Sequence, residues 1–134
     1  MNKKSYFPAH IETKHQFRQW LLSALSKFNN NYTISTAIEE LKELMVEHIT
    51  NTDRMNTFLY HIAEQTDHLK QTQKKEYIKI YGIASEIFEE SLIPFLPKVL
   101  SQIQQKLKEN DAPEIHNAYA ESIGMVLHNV LKNI

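Results

Sequence analysis

Histidine and acidic side chains at helical spacing are the residues of this chain that could bind a metal. Seven of the 134 residues are histidine and none is cysteine. His61, Glu64 and His68 fall on one face of a predicted helix, and imidazole and carboxylate groups are zinc ligands. A metal site between two helices needs a matching Glu-x-x-His motif opposite, and none recurs. We therefore expect no metal, with an all-α metal- or ligand-binding bundle as an alternative.

The residues of covalent and acid–base catalysis form no recognisable motif. The sequence has no glycine-rich phosphate loop, no nucleophile elbow and no thiol. Tyr77, Tyr81 and Tyr119 stand at inward helical positions, where tyrosines are usually core residues. These observations predict a non-enzymatic protein without a cofactor.

A short lysine cluster is the strongest charge feature of the chain. Lys70, Lys74, Lys75 and Lys79 lie in the segment HLKQTQKKEYIK. Clustered lysines attract acidic surfaces and accelerate association with them. The alternative interpretation is a solvated loop followed by a helix start.

Composition excludes several other functions. A formal net charge of −1 argues against a general nucleic-acid binder. No apolar run approaches the roughly 20 residues of a membrane span, and the N-terminus lacks the apolar core of a signal peptide. The absence of cysteine is compatible with a reducing compartment, so we expect a cytoplasmic protein.

Helices must position these residues, because glycine and proline are rare and strong helix formers dominate. Apolar periodicity predicts six helices, over roughly residues 15–28, 36–49, 53–68, 74–88, 92–107 and 113–131. Thr36 with Glu39 matches a capping box, and Ser91 is the predicted cap of the fifth helix. The polar residues 50–53 are predicted to end the second helix and to cap the third. Asp111, Pro113 and Glu114 form the start signal of the sixth.

The six helices form three consecutive pairs. The second helices of the pairs start roughly 38 or 39 residues apart, a spacing typical of repeat arrays. We therefore predict an all-α, right-handed α–α superhelix of about three helical hairpins. Residues 1–12 are the predicted irregular lead, and residues 13–134 the predicted single domain. The predicted inner face of the last helix comprises Ala118, Ala120, Ile123, Gly124, Leu127, Val130 and Leu131.

Residues 92–131 resemble a HEAT repeat, most specifically in the stretch LPKVLSQIQQKLKENDAPEIHNAYAESIG. This stretch is similar to TOG-like microtubule-binding proteins, and above all to the N-terminal HEAT domain of the Tortifolia/Spiral family of microtubule-associated proteins. The similarity extends at pattern level over about residues 15–133, through TAIEELKELM and the segment preceding LPKVL. It implies HEAT-like hairpins and a protein partner, namely tubulin or microtubules, on the cytoskeleton.

The resemblance also implies where that partner binds, because TOG domains engage tubulin through the loop inside each repeat. In this sequence those loops are residues 29–33, 70–75 and 108–112. The predicted binding residues are Asn30, Tyr32, Lys70, Gln71, Lys74, Lys75, Lys108 and Asn110. The alternative is a HEAT-like scaffold within a larger assembly, for example in a cilium. Free tubulin and the microtubule lattice both stay open as targets.

The sequence departs from the family pattern in three places. His116 stands where HEAT repeats usually carry the arginine that joins Asp111 in a buried ladder, which predicts a weakened ladder. The aromatic residue of the first TOG loop has no tryptophan counterpart, and Tyr32 is the aromatic residue of that loop here. Three repeats are fewer than the six of a TOG domain, so a homo-oligomer that completes the array is a further expectation.

Overall fold

The part of the chain that the structure describes is built from α-helices. A computed structural model describes residues 5–109 and 111–134. Within these residues there are six α-helices and no β-strand. They are α1 (Lys14–Ser26), α2 (Ile34–Glu43), α3 (Thr52–Gln65), α4 (Gln71–Phe88), α5 (Leu96–Leu107) and α6 (Pro113–Leu131). The predicted all-α helical-repeat fold is confirmed.

The chain divides into two compact units. Unit 1, Met1–His68, contains α1 to α3, and unit 2, Leu69–Ile134, contains α4 to α6. Fully buried side chains of unit 1 include Phe17, Leu21, Phe28, Leu41, Phe58 and Ile62. Those of unit 2 include Tyr77, Ile78, Val99, Ile103, Val126 and Val130. The single domain over residues 13–134 stays a prediction.

The capping box of unit 1 belongs to α1. Thr13 Oγ1 accepts the backbone N–H of Gln16 at 3.1 Å, and Gln16 Oε1 accepts the N–H of Thr13 at 3.1 Å. The predicted box of Thr36 and Glu39 is wrong, because α2 begins at Ile34 and both residues lie inside it. A 3₁₀ turn over residues 31–33 leads directly into α2, so this helix begins before the predicted start at Thr36.

Arg54, at the start of α3, holds three parts of unit 1 together. Its Nη1 donates to the carbonyl of His48 at 2.8 Å, and its Nη2 donates to the carbonyl of Ile11. The guanidinium carbon lies 5.5 Å from the ring centroid of Phe17, a cation–π distance. Asn51 Oδ1 accepts the N–H of Arg54 at 2.8 Å, so the predicted polar cap of this helix is confirmed.

Residues 5–13, directly before α1, pack against the helices of unit 1 although they form no helix. Phe7 and Ile11 are only 7% and 5% exposed. The backbone N–H groups of Tyr6 and Phe7 donate to the Glu43 carboxylate at 3.0–3.1 Å. The ring of Phe7 meets that of Trp20 edge-on, with centroids 5.3 Å apart. Phe7 and Ile11 are therefore part of the core of this unit.

In unit 2, α4 and α6 lie side by side and run in the same direction. Three hydrogen bonds join residues 44 positions apart along them and just beyond their ends: Ser122 Oγ to the Ile78 carbonyl, Asn129 Nδ2 to Ser85 Oγ, and Asn133 Nδ2 to Glu89 Oε2. A constant offset along two helices requires that they be parallel. Equivalent helices of successive repeats pack in this way.

The repeat spacing in unit 2 is longer than predicted. The starts of α4 and α6, at Gln71 and Pro113, are 42 positions apart (113 − 71) instead of the expected 38 or 39. The reason is that α4 begins at Gln71, ahead of its predicted start, whereas α6 begins at Pro113 as predicted.

Two prolines set the start of α5. The predicted cap at Ser91 is wrong, because Ser91 lies inside the 3₁₀ segment and the α-helix begins at Leu96. Pro94 and Pro97 have no backbone N–H, and proline fits the first turn of a helix, where that group needs no partner. The helix therefore begins where Pro97 can stand in its first turn.

The predicted inner face of α6 is confirmed at Val130 and wrong at the other positions. The buried residues are Ile115, Tyr119, Ser122, Val126 and Val130. Of the predicted set, Ala120, Gly124 and Leu131 are exposed, and Ala118, Ile123 and Leu127 are half-buried. Apolar residues occur on two sides of α6, so periodicity alone could not select the buried one.

Candidate partner-binding edge

An ion pair joins the start of α4 to the residues before α6 in unit 2. The predicted loop over residues 70–75 is wrong beyond Lys70, because α4 begins at Gln71 and residues 71–75 are helical. Lys74 Nζ, near the start of α4, lies 2.9 Å from Asp111 Oδ2, just before α6. One turn earlier, Gln71 Nε2 donates to Glu114 Oε2 at 2.8 Å. These contacts place the starts of α4 and α6 side by side. We call Lys70, Gln71, Lys74, Lys75 and Lys108 the lysine edge.

Asp111 is held in its charged form. The hydrogen bond from Lys74 is the main cause that lowers the pKa of this carboxyl, and the backbone N–H of Ala112, 2.8 Å from Oδ1, lowers it further. The side chains of Lys74 and Asp111 are only 18% and 24% exposed. Lys74 thus has a structural role, because the carboxylate of Asp111 neutralises its positive charge.

The other lysines of this surface differ in whether a carboxylate of the chain pairs with them. Lys79 pairs with Glu76 at 3.0 Å, and Lys106 pairs with Glu109 at 3.4 Å. The remaining lysines are exposed, and among the described residues no carboxylate pairs with them: Lys70, Lys75 and Lys108. These three ammonium groups are available to a partner.

In unit 1, the loop between α1 and α2 presents an aromatic ring. Tyr32 is 94% exposed, the largest exposed fraction among the large apolar and aromatic residues that the structure describes. Asn30 Oδ1 accepts the N–H of Tyr32 at 2.9 Å, and Thr33 Oγ1 donates to the carbonyl of Lys27 at 2.6 Å. The side chain of Asn30 thereby fixes the turn that carries the ring. Asn110, the last predicted binding residue, lies outside the described residues.

At the position of the predicted Asp–Arg ladder, His116 contacts Glu109 and Asp111 pairs with Lys74. His116 Nε2 lies 3.0 Å from the carbonyl oxygen of Glu109, so this side chain contacts a residue just after the end of α5. The carboxylate of Asp111 pairs with Lys74, which stands at the start of α4 as His116 stands at the start of α6. Lys74 of α4, the equivalent helix of the preceding repeat, therefore supplies Asp111 with the cation that the family pattern assigns to arginine.

The sequence did not reveal a polar groove between α1 and α3 of unit 1. It is lined by Lys14, Arg18, Asp53, Asn56, Thr57, Tyr60 and His61. Lys14 and Asp53 pair across it at 3.3 Å, and burial lowers the pKa of His61. These residues are far apart in the sequence, and only the packing of two parallel helices brings them together.

In the described part of the chain, no three His, Cys, Asp or Glu side chains lie close enough together to hold a metal ion. None of the described helices has both the length and the apolar character that crossing a bilayer requires. Tyr77, Tyr81 and Tyr119 are buried, and Tyr81 donates its hydroxyl to Gln102 Oε1 at 3.0 Å, as expected of core tyrosines.

Fold and site together define a helical-repeat protein with a basic edge where successive repeats meet. A family model described as TORTIFOLIA1 N-terminal matches residues 15–134. The chain belongs to this family, which confirms the resemblance found in the sequence.

Curated relatives support this membership. TORTIFOLIA1-like protein 2 of Arabidopsis thaliana is 29% identical over 97 residues, which are 72% of this chain and 12% of the relative. TORTIFOLIA1-like protein 1 of the same plant is 22% identical over 117 residues, or 87% of this chain and 14% of the relative. The chain thus spans a small fraction of these relatives. No solved structure matches it.

Proposed function

We propose that this chain is a non-enzymatic microtubule- or tubulin-binding module that acts through its intra-repeat loops. The observation that carries the proposal is the lysine edge: three available lysines at the start of α4 and directly after α5 of a Tortifolia-type domain. Proteins of this type are associated with microtubules, so the chain would act on the cytoskeleton.

Charge complementarity supports the choice of partner. The surface of tubulin is acidic, and Lys70, Lys75 and Lys108 are ammonium groups without a competing carboxylate among the described residues. Long-range attraction of this kind raises the association rate and is screened by salt. The fixed pair of Lys74 and Asp111 keeps the start of α4 next to the residues before α6, which reduces the ordering cost of binding.

Tyr32 provides a second type of contact in the first loop. An exposed aromatic ring contributes large contact area at a low entropy cost. The backbone turn that Asn30 stabilises presents the ring to solvent, where a partner can cover it. We therefore assign Tyr32 a packing role and the lysine edge an electrostatic role.

Co-sedimentation of the purified chain with polymerised tubulin tests the proposal, with gel filtration against free tubulin as the companion measurement. We expect binding that is strong at about 50 mM salt and falls several-fold by about 300 mM, because screening shortens the reach of the lysines. Tyr32→Ala should weaken binding at both salt concentrations, since packing is insensitive to screening. A chain that ignores both polymer and free tubulin refutes the proposal and favours a scaffold role in another assembly.

A further inference from the structure

Glu40 of α2 is the one acidic residue that is buried in the described part of the chain, with 6% of its surface exposed. The other buried residues of this helix are Ala37 and Leu41, so the position faces the apolar core of unit 1. Removing a carboxylate from water is costly unless charged and hydrogen-bonded partners replace the water. Glu40 therefore needs partners inside the chain.

Lys27 partners only one of the two carboxylate oxygens. Its Nζ donates to Glu40 Oε1, and the side chains of Lys27 and Glu40 are 33% and 8% exposed. Glu40 Oε2 is buried, and no group of the described residues donates to it. A buried acceptor without a donor costs free energy, and apolar residues of similar size often stabilise a protein as well as a buried ion pair does. A contribution to stability does not explain why this pair is buried here.

The location of the pair suggests another role. Lys27 begins the 3₁₀ turn that follows α1, and Glu40 belongs to α2, so the pair joins the two helices at the base of the loop that carries Tyr32. The carbonyl of Lys27 accepts the hydroxyl of Thr33 at 2.6 Å. Lys27 thus contacts the loop through its backbone and α2 through its side chain.

Hydrogen bonds inside the loop connect this contact to Tyr32. The N–H of Thr33 donates to the carbonyl of Asn30 at 3.0 Å, and the N–H of Tyr32 donates to Asn30 Oδ1 at 2.9 Å. Because Tyr32 is 94% exposed, its ring makes little contact with the chain, and the backbone of the loop determines where it points. Apolar packing between α1 and α2 is non-directional, whereas a charged hydrogen bond fixes a direction.

We propose that the buried pair of Lys27 and Glu40 positions the loop of residues 29–33 so that Tyr32 is presented to the partner. The inference rests on the proposed function, in which Tyr32 packs against that partner. Neither Lys27 nor Glu40 touches the partner, and both act through the backbone of the loop. Loss of the pair should therefore loosen the loop while the fold stays as stable as before.

Lys27→Met combined with Glu40→Leu tests the inference, because it replaces both charges with apolar groups of similar size. Calorimetry should give a Tm above that of wild type or no more than about 3 °C below it, because no buried charge is left unpaired. Amide hydrogen exchange measured by NMR should be at least about tenfold faster at Tyr32 and Thr33, since the loop opens more often. Exchange at Leu41, inside α2, should be unchanged.

Two controls separate the position of the pair from its charge. Lys27→Arg keeps the cation and offers a second N–H to the carboxylate, so Tyr32 and Thr33 should exchange no faster than in wild type. Lys42→Met with Glu39→Leu removes an exposed ion pair of the same helix, whose atoms are 3.8 Å apart, and should leave the loop unchanged. Loop exchange that stays as in wild type after removal of the buried pair, or a larger fall in Tm than stated, would overturn the inference.

Microtubule co-sedimentation at about 300 mM salt relates the loop to binding, because the attraction of the lysine edge is screened there. The variant without the buried pair should bind as weakly as Tyr32→Ala does. Adding Tyr32→Ala to that variant should cause no further loss, because both changes remove the same interaction. If Tyr32→Ala weakens wild type but loss of the pair does not, the inference is wrong. If Tyr32→Ala leaves wild type unaffected, the proposed role of Tyr32 fails, and amide exchange alone decides whether the pair positions the loop.

Discussion

Lys74 of α4 and Asp111 before α6 form the contact that joins the starts of these two helices in unit 2, with 2.9 Å between Nζ and Oδ2. Both side chains are largely shielded from water, and the pKa of Asp111 is lowered mainly by the hydrogen bond from Lys74. Lys74 was predicted to bind a partner together with Lys70 and Lys75. Its geometry indicates that it positions the edge on which those two lysines are exposed.

Lys74→Met tests this positioning role. The variant leaves Asp111 charged without its ammonium partner, so we expect a loss of about 1 kcal/mol of unfolding free energy at pH 7. Since the folded-state pKa of Asp111 is lowered, the ion pair stabilises fully above the ordinary carboxyl pKa and is lost as pH falls through the folded-state value. Urea unfolding at pH 7 and at about pH 3 should show the difference from wild type shrinking in acid. Lys75→Met is the matched control and should stay within about 0.5 kcal/mol of wild type.

Arg54 should resist replacement by lysine. Its two guanidinium nitrogens reach the carbonyls of His48 and Ile11 at once, which a single ammonium group cannot do. We expect Arg54→Lys to cost about 2 kcal/mol in urea unfolding, because buried carbonyl groups lose a charged donor. Arg18→Lys, at an exposed position of α1, should change stability little. Equal effects of the two variants would contradict the role given to Arg54.

Two buried histidines should make unit 1 sensitive to mild acid. Burial is the main cause that lowers the pKa of both His48 and His61, with Arg54 adding to the effect at His48 and Arg18 at His61. A histidine with a lowered folded-state pKa stabilises the fold above its unfolded pKa of about 6.5, and this stability is lost as pH falls below that value. The urea midpoint should therefore decrease from pH 7 to pH 5.

Glutamine at both positions provides the test of that decrease. His48→Gln with His61→Gln should flatten the pH dependence, because glutamine takes up no proton in this range. His68→Gln, at an exposed position, should leave the dependence as it is in wild type. An unchanged slope in the double variant would show that other groups cause the acid sensitivity.

Glu89, directly after α4, has a backbone conformation that favours glycine. Its φ is 48° and its ψ is −130°, which is costly for a residue with a side chain. Glu89→Gly should raise the unfolding free energy by about 1 kcal/mol, although it removes the exposed pair with Lys132 and the exposed hydrogen bond from Asn133. Calorimetry should show a Tm higher by about 3 °C. Glu90→Gly, where φ is not positive, should instead lower the Tm.

Local patterns predicted the helices of this chain well, because each depends on residues close in sequence. The helix over Lys14–Ser26, the cap at Asn51 and the start of α6 at Pro113 all follow from short-range signals. The family was also recognisable, because the motif of residues 92–131 is continuous. The local errors are the caps predicted at Thr36 and Ser91, where the sequence offers more than one residue at which a helix could begin.

Long-range packing could not be predicted in the same way. Neither the anchoring of Phe7 by Glu43 nor the pairing of Lys74 with Asp111 has a signal at fixed spacing. The buried face of α6 depends on which of its two apolar sides meets α4 and α5, and the sequence of α6 does not contain that information. For the candidate site, residue types indicated a basic surface, but only geometry separates the paired lysine from the available ones.

The most direct test of the central claim is microtubule co-sedimentation of a triple charge reversal at the lysine edge. Lys70→Glu, Lys75→Glu and Lys108→Glu should together abolish most binding at about 50 mM salt, because three attractive contacts become repulsive. The matched control reverses Arg18, Lys42 and Lys98, which changes net charge equally but lies outside the predicted loops. We expect the control to bind nearly as wild type does. Equal loss of binding in both triples, or no loss in the first, would contradict binding through the lysine edge.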